Sequence, residues 1–122
     1  MHTIFVYGTL RPGASNSWRM RGAKYLGESQ VAARLYRISW YPALRLDKSE
    51  ANWVHGAIYE VNDELLRELD LYEGEDYRRV RTQVKTMQTS LNIQLWEYAT
   101  SPNQGEWIQS GDWLKYLAEN PL

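Results

Sequence analysis

Two short stretches of the sequence hold residue types that could do chemistry. The first is Tyr7-Gly8-Thr9-Leu10-Arg11-Pro12-Gly13, which continues the apolar run Ile4-Phe5-Val6. A glycine at a strand exit lets the chain turn sharply and exposes successive backbone N–H groups. Such groups bind carboxylates and developing oxyanions without a cationic side chain. An ordinary strand-ending turn would carry the same residues. The second stretch is Leu69-Asp70-Leu71-Tyr72-Glu73-Gly74-Glu75-Asp76-Tyr77, rich in carboxylates. On a helix, Glu73 follows Leu69 by one turn and Leu66 by two, so it projects from their apolar face. Asp70 sits at the margin of that face. Glu75 and Asp76 fall beyond Gly74, in a loop. A carboxylate on an apolar face is unfavourable unless it has a partner or a task. The other reading of Glu73 is a side chain that reaches water at a frayed helix end.

Other catalytic apparatus is missing. The sequence has no Cys, which excludes a thiolate nucleophile, a disulfide framework and any Cys-ligated metal. It has no phosphate-binding Gly-rich loop with Lys and Ser/Thr, no dinucleotide fingerprint and no nucleophile elbow. His2 and His55 are far apart and form no ligand-spaced cluster. His55, inside an expected strand, reads as structural. Chemistry without metal, cofactor or thiol is left with carboxylates, tyrosine hydroxyls and backbone amides.

The elements that must position these residues can be read from periodicity. Ile4-Phe5-Val6-Tyr7 reads as a buried strand stopped by Gly8, and residues 8–13 as a loop. Residues 16–21 suit a short helix capped by Ser15. Val31, Ala33 and Leu35 suggest a second strand, and Ala43-Leu44-Arg45-Leu46 a third. Residues 47–52 are polar and turn-like. Residues 54–61 make a further strand, in which Gly56 permits a bend or a close approach. Asn62 caps the main helix, whose first turn carries Asp63 and Glu64 and whose stripe is Leu65, Leu66, Leu69 and Tyr72. Gly74 is its stop. Residues 77–86 alternate as a strand, residues 87–90 turn, and Leu91, Ile93 and Leu95 return. At Trp96 and Tyr98 the apolar phase slips by one residue, which suggests a bulge. Ser110-Gly111-Asp112-Trp113-Leu114 reads as a cap and a short closing helix. The fold class is α+β: a small mixed β-barrel or strongly curved sheet with one main helix and short flanking helices.

The 122 residues suit a single domain, 1–122, with one core. Lys and Arg number 14 against 15 Asp and Glu, so nothing draws the chain to nucleic acid or to an anionic membrane. The N-terminal apolar run is too short for a signal peptide or a membrane span. The expectation is a soluble, cytoplasmic protein. Six Trp and nine Tyr against one Phe suggest a barrel padded with large rings, or a cavity whose aromatic walls also offer N–H and O–H groups.

Together the two stretches give the chain a resemblance to the γ-glutamylcyclotransferase-like proteins, which include γ-glutamylamine cyclotransferases. Phe5-Val6-Tyr7-Gly8-Thr9-Leu10-Arg11 is similar to that family's Y-G-S/T-L loop, with Thr9 in place of the commoner Ser. Tyr41-Pro42, Gly56-Ala57-Ile58-Tyr59-Glu60-Val61, Leu69-Asp70-Leu71-Tyr72-Glu73, Tyr77-Arg78-Arg79 and Trp96-Glu97-Tyr98 follow in the family's order. The resemblance implies a γ-glutamylcyclotransferase-like domain whose loop backbone, Tyr7 to Leu10, grips the α-carboxylate end of a small γ-glutamyl substrate. It implies that Glu73 is the proton acceptor, with Tyr77 and Tyr98 in the cavity wall and no cofactor or metal. The reaction would close the γ-glutamyl group to 5-oxoproline and release an amine or amino acid. A non-catalytic protein that binds a small acidic metabolite in the same pocket is the alternative.

That chemistry makes one demand on Glu73. The substrate's α-amine, with a pKa of roughly 8, must lose a proton before it attacks the γ-carbonyl. An ordinary Glu near 4.3 would accept that proton uphill by roughly 5 kcal/mol. Burial raises a carboxyl pKa and shrinks the gap, so Glu73 is expected partly buried at a cavity, with a raised pKa.

Overall fold

The computed structural model describes residues 1–85, 90–102 and 105–121. The strands are β1 (His2–Val6), β2 (Lys24–Ile38), β3 (Tyr41–Leu46), β4 (Trp53–Val61), β5 (Tyr77–Lys85), β6 (Ser90–Tyr98) and β7 (Glu106–Trp107). The helices are α1 (Asp63–Glu73) and α2 (Trp113–Glu119), with a short 3-10 helix at Ser17–Met20. The strand order is β3-β2-β4-β1-β6-β5, and β7 pairs with β2. Only the β1–β6 pairing is parallel among these ladders.

The sheet curls until its two halves meet. β3 reaches β6 through side chains rather than a ladder. Arg45 donates to the Tyr98 carbonyl at 2.9 Å, and the Leu46 amide donates to Glu97 at 2.9 Å. The α+β curved sheet expected from the order of elements is therefore present, closed on this side by polar contacts.

Each face of the sheet has its own core. Phe5, Val31, Leu35, Leu44, Val54, Leu95 and Trp113 pack inside the curl. Ile4, Val6, Tyr59, Val61 and Trp96 pack on the outer face against Leu66 and Leu69 of α1. Successive residues of a strand point to opposite faces. β1 is buried on both, which is why it reads as an unbroken apolar run. β6 is treated the same way over Leu95 and Trp96, one in each core. The bulge expected at Trp96 and Tyr98 is absent: the β5–β6 register runs without a shift from Tyr77↔Tyr98 to Lys85↔Ser90. The phase change marks the place where α1 covers the second face. A register shift does occur between Tyr25 and Gly27 of β2.

The main helix forms as its ends dictate. The Asn62 side chain accepts the Leu65 amide at 2.8 Å, and Gly74 ends α1 with φ 76°. Gly56 is required by close approach: a Cβ there would lie 2.3 Å from the Val6 carbonyl oxygen. Asp112 caps α2, as its sequence suggests. At residues 16–21 the structure has only the short 3-10 helix. Its N-cap is Asn16 rather than Ser15, with no side-chain capping bond. β2 is much longer than Val31, Ala33 and Leu35 indicate, since its exposed first half is held as a strand by β4. Of the turn expected at residues 87–90, only Ser90 lies within the described residues, and it begins β6. No helix of the described chain is long and apolar enough to cross a membrane.

Candidate active site

The chain leaves β1 at Val6 and turns at once, with the Arg11 amide donating to the Gly8 carbonyl at 3.2 Å. The central amides of such a turn point away from its own bond. Among the described residues, no acceptor takes the Thr9 or Leu10 amide. Gly8 does not use a left-handed backbone here. It is needed because a Cβ would lie 2.9 Å from Cγ of Pro42. The loop is tied sideways as well. Asn16 donates to the Thr9 hydroxyl at 3.0 Å, and that hydroxyl lies 3.2 Å from the Tyr72 hydroxyl. Tyr72 sits in the last turn of α1, so the loop and the helix end are fastened together.

Glu73, the last residue of α1, opens with this loop onto one cavity of about 460 Å³. Tyr7, Gly8, Thr9, Leu10 and Glu73 all line it, so the structure brings the two stretches to one place. Tyr77 is in the wall too. Tyr98 is not: its ring packs edge-on against Tyr77, 5.7 Å between centroids. Glu75 is exposed and outside the wall, whereas Asp76 is part of it. His55 lies away from the cavity, its Nδ1 3.3 Å from the Gln30 side chain and its backbone N–H bonded to Gly111.

The electrostatics of the wall are one-sided. Its charged groups are Glu73 and Asp76, and no Lys or Arg is among its described residues. Burial, and secondarily the charge of Asp70, push the Glu73 carboxyl up to about 7. Among the described residues nothing donates a hydrogen bond to it. Two of the four wall tyrosines, Tyr7 and Tyr77, have spent their protons. Tyr7 donates to the Trp96 carbonyl at 2.6 Å, and Tyr77 donates to the Pro42 carbonyl. Burial, reinforced by the charge of Glu73, raises both phenols well above the ordinary range. They are rings and acceptors at this site, not acids. The site can thus take a proton at Glu73, accept hydrogen bonds from a cation, and offer turn amides to an anion.

Several wall residues escaped the sequence reading. Asn16, Trp40, Trp113 and Leu117 come from three other segments, and Asp76 from the loop just beyond Glu73. The Trp40-Tyr41-Pro42 run beside a hairpin turn was the available signal for one of them.

The family model described as gamma-glutamyl cyclotransferase, AIG2-like, matches residues 4–115. The chain is similar to the gamma-glutamylaminecyclotransferase of Rattus norvegicus, at 30% identity covering 99% of this chain and 93% of the relative. It is similar to the gamma-glutamylcyclotransferase family protein YtfP of Escherichia coli K12, at 33% identity covering 91% and 95%. The crystal structure of the uncharacterised protein PH0828 from Pyrococcus horikoshii superposes with a TM-score of 0.78 at 30% identity, over 98% of this chain and 95% of that one. The match runs from Ile4 in β1 through the first turn of α2, so it takes in the loop, α1 and all of the sheet except the first two residues of β1. This chain belongs to the gamma-glutamyl cyclotransferase, AIG2-like family.

Proposed function

We propose that the chain cyclises the γ-glutamyl group of a small γ-glutamyl amine or peptide to 5-oxoproline, with Glu73 as the proton carrier. The observation that supports this most is a carboxylate raised to about 7 by burial in the same cavity as turn amides that have no acceptor among the described residues. The amides of Thr9 and Leu10 hold the substrate's α-carboxylate. The α-ammonium then faces Glu73, which takes one of its protons. The freed amine attacks the γ-carbonyl carbon and a C–N bond forms. Glu73 returns the proton to the leaving nitrogen, the original amide C–N bond breaks, and the ring nitrogen gives up its second proton to the departing amine, which leaves as ammonium together with 5-oxoproline.

Magnitudes favour this assignment. With Glu73 near 7 and an α-amine near 8, the first transfer is uphill by only about 1.4 kcal/mol, against roughly 5 for an ordinary Glu. The remaining work is folding the substrate into an attack-ready shape, where proximity contributes up to about 7–11 kcal/mol. The test is 5-oxoproline release from a panel of γ-glutamyl compounds by the wild type and Glu73→Gln. Turnover should fall by about 10²–10⁴-fold in the variant while binding persists. Full turnover in Glu73→Gln, with loss in Glu75→Gln, would refute the assignment. A ligand that stabilises the protein and returns unchanged would favour the metabolite-binding alternative.

A further inference from the structure

The ring closure puts negative charge into a wall that holds no Lys or Arg among its described residues. As the α-amine nitrogen adds to the γ-carbonyl carbon, the π electron pair moves onto the carbonyl oxygen. An oxyanion in a dry site needs a fixed donor aimed at it. Tyr7 and Tyr77 already donate to backbone carbonyls, and the Trp96 indole N–H donates to Asp70. In the cyclotransferase reading the Thr9 and Leu10 amides hold the α-carboxylate.

One buried donor of the wall is left over. Among the described residues, two buried side-chain polar atoms have no hydrogen-bond partner, Arg11 Nε and Trp113 Nε1. Arg11 is outside the cavity wall, and its other two nitrogens meet Asp112 and Glu28. Trp113 is in the wall, fully buried, and belongs to the same inner core as Phe5 and Tyr7. A buried N–H without an acceptor is unfavourable and uncommon. The indole is also held still. The Tyr116 ring stacks on it, 5.8 Å between centroids and 13° between planes. The preceding residue, Asp112, caps α2 and bonds Arg11, which directly follows the Tyr7 to Leu10 loop. The structure thus keeps a rigid, dry, unpaired donor at the cavity and ties it to the substrate-gripping loop.

Resting on the cyclotransferase reading, we propose that Trp113 is a catalytic residue whose indole N–H donates a hydrogen bond to the substrate's γ-carbonyl oxygen. The bond strengthens as that oxygen gains charge. It relaxes when the electron pair folds back to re-form the carbonyl and the amide C–N bond breaks. No proton leaves the indole. The Arg11–Asp112 strut sets the spacing between the amides on the α-carboxylate and the N–H on the γ-oxygen. Held at both ends, the γ-glutamyl group is bent so that its amine meets its own carbonyl carbon.

Two measurements test this. Trp113→Phe keeps an aromatic ring beside Tyr116 and deletes the N–H. With a γ-glutamyl compound that the wild type turns over, kcat and kcat/KM should fall together by about 10²–10³-fold, with KM little changed. A wall that had merely lost its shape would raise KM instead. The second measurement does not depend on how that variant folds. In isotope-labelled Glu73→Gln, the Trp113 indole proton is assigned by NMR through its contacts with the Tyr116 ring. γ-Glutamyl butylamide and 2-aminodecanoic acid share head and chain length, and only the first has a γ-carbonyl. The amide should move the indole resonance downfield, and the amino acid should leave it in place. A resonance that moves equally with both ligands would put the indole on the α-carboxylate and overturn the proposal, as would one that moves with neither. Full kcat in a folded Trp113→Phe would overturn it too, with the cyclotransferase reading intact. If the wild type releases no 5-oxoproline from any γ-glutamyl compound, the cyclotransferase reading falls and the catalytic role of Trp113 falls with it.

Discussion

The indole N–H of Trp96 donates to Asp70 at 2.8 Å, and this bond separates the roles of two carboxylates one helical turn apart. Asp70 also meets Arg79 at 3.4 Å, so its charge is held in place. Glu73 has no such partner among the described residues, and the fixed charge of Asp70 helps burial to raise its pKa.

That arrangement predicts the pH dependence of turnover. Glu73 must be ionised to accept a proton, so kcat/KM should rise with pH through an acid limb near 7. Asp70→Asn keeps an acceptor for the Trp96 N–H and deletes the negative charge. The Glu73 pKa should fall and the limb should move to lower pH. A limb that stays put, or moves upward, would show that Asp70 does not tune Glu73.

The same raised pKa makes a statement about stability. A carboxyl that titrates higher in the folded chain than in the unfolded one favours folding while it is protonated. That contribution is whole below the unfolded value near 4.5 and is lost as pH rises through about 7. At pH 8 the ionised Glu73 should cost about 3 kcal/mol relative to a neutral side chain, as an upper bound. Glu73→Gln should therefore be inactive but more stable than wild type at pH 8, with the difference fading toward pH 4. Urea unfolding at both pH values tests it, and a variant that is less stable at pH 8 contradicts it.

Gly8 gives a steric prediction. Its added Cβ would sit 2.9 Å from Pro42 Cγ, with no backbone strain to confuse the effect. Gly8→Ala should lose about 1–3 kcal/mol of stability and raise KM, because the displaced loop carries the Thr9 and Leu10 amides. Alanine has no Cγ, so adding Pro42→Ala should recover part of both losses. If the double variant is simply the sum of the singles, the contact is not the cause.

These relationships were legible in the sequence only where their causes are local. Asn62 and Gly74 announce the ends of α1 because capping depends on neighbours in the chain. Glu73 is placed inward by its spacing from Leu66 and Leu69 alone. The first half of β2, Lys24 to Gln30, is mostly exposed and owes its strand conformation to β4, which no local pattern reports. Trp96 looked like a slipped register because nothing in β6 itself reveals that α1 covers its outer face. The cavity wall draws Asn16, Trp40 and Trp113 from distant segments, and only the curl of the sheet brings them together.

The last prediction concerns the strut that joins the loop to α2. Arg11, 8% exposed, lies directly after the turn and donates to Asp112 at 2.8 Å, with Glu28 at 3.5 Å on its other nitrogen. Asp112 also caps α2 by accepting the Lys115 amide at 3.2 Å. α2 in turn carries the fully buried Trp113 and the partly buried Leu117 into the cavity wall. Burial pushes the Asp112 carboxyl up, but the Arg11 bond, the Lys115 amide and the Arg11 charge outweigh it, and the pKa ends below the ordinary value. A lowered carboxyl contributes stability above its unfolded pKa and loses it as pH falls through the folded one. Asp112→Ala removes the cap and strands a mostly buried guanidinium, which should cost roughly 2–4 kcal/mol at pH 7. Asp112→Asn keeps a capping oxygen and should cost less, and its deficit should shrink below about pH 4. Adding Arg11→Met to Asp112→Asn removes the stranded charge, so the pair should be more stable than Asp112→Ala. Because α2 shapes the wall and not the proton carrier, Asp112→Asn should raise KM while the acid limb set by Glu73 stays where it was. A shifted limb with unchanged KM would mean that the strut acts on Glu73 rather than on the wall.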